Sequence, residues 1–318
     1  MNRFFSMWRA VLPAIFLFTA GSARTQDKTA RQEAVFCAYN VKNWLAMDRY
    51  DPEQKKVLIG EGKPASEKER VVSILKAIKP DVLGVCEIGT ADDLADLQAR
   101  LKQAGIDLPF TELAHGGDET RRLALLSRFP ITARNSQTSL TYKLGEVEMP
   151  FQRGILDATV QFTNSLDVRF IGVHLKSKRE VPEGDQNQMR RNEARLLRRH
   201  LDGIFSAAPG ARILAYGDFN EHRNEPAIDT IIGDRRSETE MTDLWLKDIH
   251  GEVWTHFWDA ADTYSRLDYL FTSRLLRPHL DLKRSFIYSA RDFDKASDHR
   301  PIVTTIRFAP WQEKEKDK

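Results

Sequence analysis

Four short apolar runs, each closed by a polar side chain, constrain the fold of this chain more than any other feature. Ala34–Tyr39 runs into Asn40, Asp81–Cys86 into Glu87, Val168–Val173 into His174, and Ile213–Tyr216 into the pentad Gly217-Asp218-Phe219-Asn220-Glu221. Such runs read as buried strands. Between the first two, Val71, Ile74, Leu75 and Ile78 recur at helical spacing behind Ser66 and Glu69, a capping box, and Pro80 ends the helix. A strand, a helix and a strand again, with polar residues at the carboxyl end of each strand, give a layered α/β sheet that presents a site along one edge.

The rest of the chain repeats these signals. Thr90 caps a helix bearing Leu94, Leu97 and Leu101 that Gly105 stops, and Leu123–Ser127 reads as a strand. Gly154–Phe162 and Val168–Val173 form a β pair around Asn164-Ser165. A helix over Gln188–Phe205 carries Met189, Leu196, Leu197, Leu201 and Ile204 on one face and a set of arginines from Arg190 to Arg199 on the other. That basic face reads first as a solvated surface and second as a phosphate attractor. Pro226–Ile232 reads as a short helix, Arg266–Phe271 and Ile302–Phe308 as strands, and Trp245, Trp254, Phe257 and Trp258 as core or loop anchors. Asp268 inside an apolar strand needs a partner, and Ser297-Asp298-His299-Arg300-Pro301 offers one.

The amino terminus has the order of a secretory leader: Arg3 and Arg9, an apolar run from Ala10 to Ala20, then Gly21, Ser22 and Ala23, after which cleavage is expected. Export follows, with no stable membrane span in the mature chain. The full chain has 48 Lys and Arg against 46 Asp and Glu, and losing two arginines with the leader brings the mature balance to zero. A general attraction to polyanions is therefore not supported. Residues 24–318 read as one domain and as a monomer. Cys37 and Cys86 read as small buried hydrophobes, having neither metal-ligand spacing nor a nearby His.

Asn40, Glu87, Asp218, Asn220 and Asp298 supply oxygen donors from separate segments, and His174 and His299 supply imidazoles. Hard oxygen donors favour Mg²⁺, with Mn²⁺ as the alternative, over Zn²⁺. This set suits attack on a phosphate ester by a directly activated water, since no Ser or Cys sits in a nucleophile elbow.

The ordered motifs Asn40, Glu87, Gly172-Val173-His174, Gly217-Asp218-Phe219-Asn220, Arg266-Leu267-Asp268-Tyr269 and Ser297-Asp298-His299-Arg300-Pro301 resemble the endonuclease/exonuclease/phosphatase superfamily, the deoxyribonuclease I-like group. The resemblance covers nearly the whole mature chain. It implies a four-layer α/β sandwich with two central mixed sheets flanked by helices. By position, Glu87 matches the principal metal carboxylate, Asn40 its neighbouring ligand or phosphate contact, and Asp298 a second metal or water contact. Asp218 matches the residue that orients or deprotonates the attacking water, Asn220 its phosphate-binding companion, His299 the phosphate-polarising histidine and Asp268 the carboxylate that fixes its tautomer. His174 matches a second histidine serving phosphate or leaving group, with Asp118 or Glu119 nominated as its carboxylate partner. Arg153 and Thr263 match phosphate contacts. The implied function is a metal-dependent phosphodiesterase, first a nuclease on DNA or RNA. A sphingomyelinase-like lipid phosphodiesterase or phosphomonoesterase is the alternative, and a non-catalytic binding module is the reading from another class.

Overall fold

The first apolar run forms the strand Glu33–Trp44, and Val82–Ile88 lies parallel to it because the helix Ala65–Ile78 returns the chain between them. The same unit recurs with Asp167–His174 and Ile213–Asp218, joined through the helix Gln186–Ala207. This computed structural model describes residue 1, residues 31–51 and residues 54–310. The expected leader over residues 1–23, apart from residue 1, and the charged tail Glu313–Lys318 lie outside the described residues.

Each parallel pair is the middle of a six-stranded mixed sheet. The first sheet runs Leu280–Ile287, Ile302–Arg307, Glu33–Trp44, Val82–Ile88, Arg122–Ser127, Phe110–Ala114. The second runs Met241–Asp243, Asp268–Ser273, Ile213–Asp218, Asp167–His174, Leu156–Gln161, Ile131–Arg134. The first sheet thus draws strands from before residue 128 and after residue 279, whereas the second is built from the continuous stretch between.

Side-chain alternation along the first strand shows how the layers form. Phe36 and Ala38 point into the core between the sheets, with Leu125, Leu156, Phe170, Leu214 and Ile302. Cys37, Tyr39 and Val41 point the other way, onto the helices Ala65–Ile78 and Ala91–Gln103 through Leu75, Leu97 and Leu101. The second sheet's outer face packs on Gln186–Ala207 and Pro226–Ile232 through Leu197, Leu201, Ile228 and Ile231. Each such buried side chain contributes about 1.5–3 kcal/mol relative to exposure. Helix, sheet, sheet, helix is the expected four-layer sandwich. Gly84 permits the close approach at its centre, since a Cβ there would come within 2.1 Å of the Tyr216 ring. The two cysteines are free and buried. Cys37 faces the helices and Cys86 faces the inter-sheet core, so the pleat itself keeps them apart.

Two local readings change. The helix Ala65–Ile78 has Pro64 as N-cap with no side-chain cap, so the Ser66/Glu69 box does not form, whereas Thr90 and Asp93 do form one. The arginine-rich helix face is only partly solvated. Arg191, Arg195 and Arg199 are exposed, but Arg190 is fully buried and Arg198 donates to the carbonyls of Ile231 and Ile232, capping the short helix. Among the described residues no helix is long and apolar enough to cross a membrane.

Candidate active site

The carboxyl ends of the two parallel pairs meet at one edge, where open α/β sheets commonly place ligands. Asn40 and Glu87 come from the first sheet, His174 and Asp218 from the second. Asn40 Nδ2 donates to Glu87 Oε1 and to Asp218 Oδ2, both at 3.2 Å, so one amide bridges the sheets. Asn40 Oδ1 accepts the Lys42 N–H at 3.0 Å. That orientation makes Asn40 a donor holding two carboxylates together, and turns toward the Lys42 N–H the oxygen expected to serve as metal ligand or phosphate contact.

Beyond Asn40 the register between the two strands shifts. Lys42, Asn43 and Glu87 all take left-handed backbone, with φ of 49°, 56° and 64°, at a cost of ~1–2 kcal/mol each. The strain is held by a local network: Asn43 N–H donates to Glu87 Oε2 at 3.0 Å, and Arg121 Nε donates to Asn43 Oδ1 at 2.8 Å. The consequence is a Glu87 carboxylate turned into the cleft.

In the pentad, Gly217 has φ of 134° and a Cβ there would lie 1.9 Å from the Val173 carbonyl oxygen, so only glycine fits. Asp218 Oδ1 accepts the Asn220 N–H at 2.9 Å, and Asn220 Nδ2 donates to the Leu175 carbonyl at 3.0 Å. Glu221 is an anchor, accepting from Lys178 Nζ at 2.5 Å and Arg190 Nε at 2.9 Å.

Asp268 and His299 form the expected pair, with Nδ1 and Oδ2 2.7 Å apart. The Ser297 hydroxyl accepts the His299 N–H and donates to the Asn40 carbonyl, tying this loop to the first strand. His299 Nε2 lies 3.6 Å from Asp218 Oδ2. Burial opposes charge on the imidazole, but Asp268 and Asp218 outweigh it and hold the pKa well above the usual histidine value. Asp218 itself is pushed up to about 7 by burial, against the attraction of His299 and with Asp268 and Glu87 adding to the push. Asp298 also lines the cleft; burial raises its pKa, but His299, Lys42 and His256 hold it below the usual carboxylate value.

His174 Nε2 faces Asp218 Oδ2 at 3.5 Å and Glu87 Oε1 at 3.9 Å, while its buried Nδ1 has no hydrogen-bond partner among the described residues. Asp118 pairs instead with Arg153 at 3.5 Å and Arg121 at 3.8 Å, and Glu119 is exposed. Neither nominated carboxylate serves His174. Burial, reinforced by Arg153 and His299, holds its pKa well below the usual value, which favours the neutral imidazole. Arg153 is buried and lines the cleft as expected. Thr263 does not join the site: it is exposed, its hydroxyl donates to the Ala261 carbonyl, and it is not among the cleft-lining residues.

The cleft holds about 540 Å³. His256, which sequence reasoning missed, lines it with its ring 4.6 Å from that of His299. The three-residue strand His256–Trp258 that carries it leaves little periodicity to read. Lys42, Arg121, Lys176 and Arg179 complete a basic rim around the carboxylates.

The carboxylates fit a hard divalent cation. Asp218, Asp268 and His299 have ligand atoms within 4.8 Å of one another, yet Asp268 and His299 already bind each other. Glu87 and Asp298 are carboxylates lining the cleft beside Asp218, and together they offer hard oxygen donors to such an ion.

Solved structures share this architecture. Sphingomyelinase C from Streptomyces griseocarneus aligns with a TM-score of 0.59 at 14% identity, covering 87% of this chain and 100% of that one. The human Nocturnin catalytic domain with bound sulfate aligns at 0.59 and 16% identity, covering 87% and 95%. Truncated TDP2 from Caenorhabditis elegans aligns at 0.57 and 16% identity, covering 86% and 98%. At these identities the likeness is one of fold. No curated protein sequence matches the chain. The sequence does match the Endonuclease/Exonuclease/phosphatase family over residues 59–299, well over half its length. The chain therefore belongs to the Endonuclease/Exonuclease/phosphatase family, a family of hydrolases mostly dependent on divalent metals.

Proposed function

We propose that this chain is an exported phosphodiesterase that cleaves nucleic acid by direct attack of water, with Mg²⁺ or Mn²⁺ as its cation. One observation supports the substrate class most: five basic side chains, Lys42, Arg121, Arg153, Lys176 and Arg179, rim the cleft that holds the carboxylates. A polyanionic diester matches that rim better than a zwitterionic headgroup carrying its own cation. Attraction is local, consistent with the balanced net charge.

In this reading Arg153 and His299 hold the non-bridging oxygens of the scissile phosphate. His299 stays protonated because Asp268 accepts from Nδ1, so Nε2–H is available to charge developing on phosphorus-bound oxygen. Asp218 orients the water and takes its proton; Asn40 holds that carboxylate from one side. Neutral His174 contributes a hydrogen bond to phosphate. The new P–O bond forms as the bond to the leaving oxygen breaks, and solvent in the open cleft protonates the alkoxide. When bound at Glu87 and Asp298, a divalent cation would neutralise the phosphoryl oxygens and lower the barrier to leaving-group departure.

Purified protein with Mg²⁺ should be offered plasmid DNA, RNA, sphingomyelin and a phosphomonoester in parallel, with His299→Ala as control. Cleavage of nucleic acid that chelation and His299→Ala abolish is expected. Cleavage of sphingomyelin alone would retire the nuclease reading, and activity that survives EDTA would retire the metal. Export is tested by fractionating cells expressing the full chain, with amino-terminal sequencing expected to begin at Arg24.

A further inference from the structure

Two opposite charges sit fully buried one helical turn apart on the Gln186–Ala207 helix: Arg190 and Glu193, each 0% exposed. Fully burying charge is expensive unless every charge is paired and hydrogen-bonded. Both reach out of the helix to the backbone of the site. Glu193 Oε2 accepts the Lys176 N–H at 2.6 Å, and Oε1 accepts the Gln152 N–H at 3.3 Å. Arg190 Nη1 donates to the Lys176 carbonyl at 2.9 Å and the Ser177 carbonyl at 3.3 Å, while Nε donates to Glu221.

The segments they grip are the ones that carry the chemistry. Gln152 directly precedes Arg153, Lys176 follows His174 by two residues, and Glu221 closes the pentad of Asp218 and Asn220. The peptide units on either side of Lys176 Cα are held from both ends, N–H by the carboxylate and C=O by the guanidinium. Three loops that share no strand with one another are thereby registered against one rigid helix.

We propose that Arg190 and Glu193 are positioning residues: the helix uses them to set the Arg153 guanidinium against His174 and the pentad. This rests on the reading of Arg153 as a phosphate contact. Glu193 acts on Arg153 in two ways, through the Gln152 N–H and through the attraction between its carboxylate and the Arg153 guanidinium. A displacement of about 1 Å in such a contact costs up to about 100-fold in rate.

The experiment is a double-mutant cycle between Glu193→Gln and Arg153→Ala, with folding followed by near-ultraviolet circular dichroism. Glutamine keeps the shape but offers one acceptor oxygen instead of two. Glu193→Gln is expected to lower kcat on a diester by about 10-fold or more in the wild-type background, and to have no further effect once Arg153 is alanine. Isothermal titration with inorganic phosphate repeats the cycle without catalysis, and the same loss of coupling is expected there. Equal losses in both backgrounds would mark Glu193 as merely structural and overturn the proposal, as would an unchanged kcat. If Glu193→Gln does not fold, Glu193→Asp, which keeps charge but shortens reach, is judged by the same criterion. If the wild type cleaves no diester while the phosphate cycle shows coupling, the catalytic reading fails and the positioning role stands. Failure of the wild type to bind phosphate would overturn both.

Discussion

Replacing Asp268 by Asn removes a charge while leaving the shape of the His299 contact. Asp268 is buried and its Oδ2 lies 2.7 Å from His299 Nδ1. Opposite unit charges about 4 Å apart interact by ~4 kcal/mol at an effective dielectric of about 20. A neutral amide recovers part of this through its own oxygen, so a loss of roughly 2–4 kcal/mol in stabilising the imidazolium is expected, or about 30- to 1000-fold in kcat/KM. The pH profile carries the sharper test. In the wild type the raised pKa favours a charged His299, so the alkaline limb is expected on the basic side of the usual histidine range. In Asp268→Asn the imidazole loses its larger carboxylate partner and burial lowers its pKa, so the alkaline limb moves toward acid. Initial rates on a soluble diester from about pH 5 to pH 10, with metal saturating, report both quantities. A uniform loss at every pH, with the alkaline limb unmoved, would refute the assignment of His299 as the protonated group.

Three further outcomes follow from the same geometry. Burial raises the Glu193 pKa from 4.5 to about 7, so its contribution to stability is fully present below pH 4.5 and lost as pH rises through 7. Relative to Glu193→Gln, wild-type stability should fall by up to about 3 kcal/mol across that window in urea titrations; a flat difference would contradict the burial argument. Gly217→Ala should lose at least about 2 kcal/mol or fail to fold, because its methyl would meet the Val173 carbonyl. Removing metal with EDTA should abolish activity, with recovery on Mg²⁺ or Mn²⁺. The melting temperature should rise with added metal, by the equivalent of about 2.7 kcal/mol at a hundredfold excess over Kd. Glu87→Gln should erase that rise, and an undiminished rise would remove Glu87 from the site.

Much of this molecule could be read from its residues because the buried strands are both continuous in apolarity and closed by polar residues. Periodicity places Val82–Ile88, Ile213–Asp218 and Pro226–Ile232 within a residue or two. Edge strands were less visible. Leu280–Ile287 alternates weakly and exposes Leu282, Lys283 and Arg284, so it lacks the buried signature of the central strands. At the site, motif order identified Glu87, Asp218, Asp268 and His299 correctly as neighbours, because each closes or opens a strand whose direction the pattern sets. What could not be read depends on through-space orientation: the Asn40 amide turned by the Lys42 N–H, Asp118 drawn to arginines instead of His174, and Thr263 facing away. The helix arginines illustrate the same limit. A helical wheel separates polar from apolar faces, but only the fold reveals that Arg190 and Arg198 have partners inside.

The first sheet takes its middle from early in the chain and its last two strands from the end, with Ile302–Arg307 laid against Glu33–Trp44. His299 lies just ahead of that closing strand. During synthesis, therefore, the histidine arrives after every other member of the site has been made. A site that needs His299 would therefore be assembled only as the strand Ile302–Arg307 docks on Glu33–Trp44, and a product truncated before residue 299 is expected to lack activity.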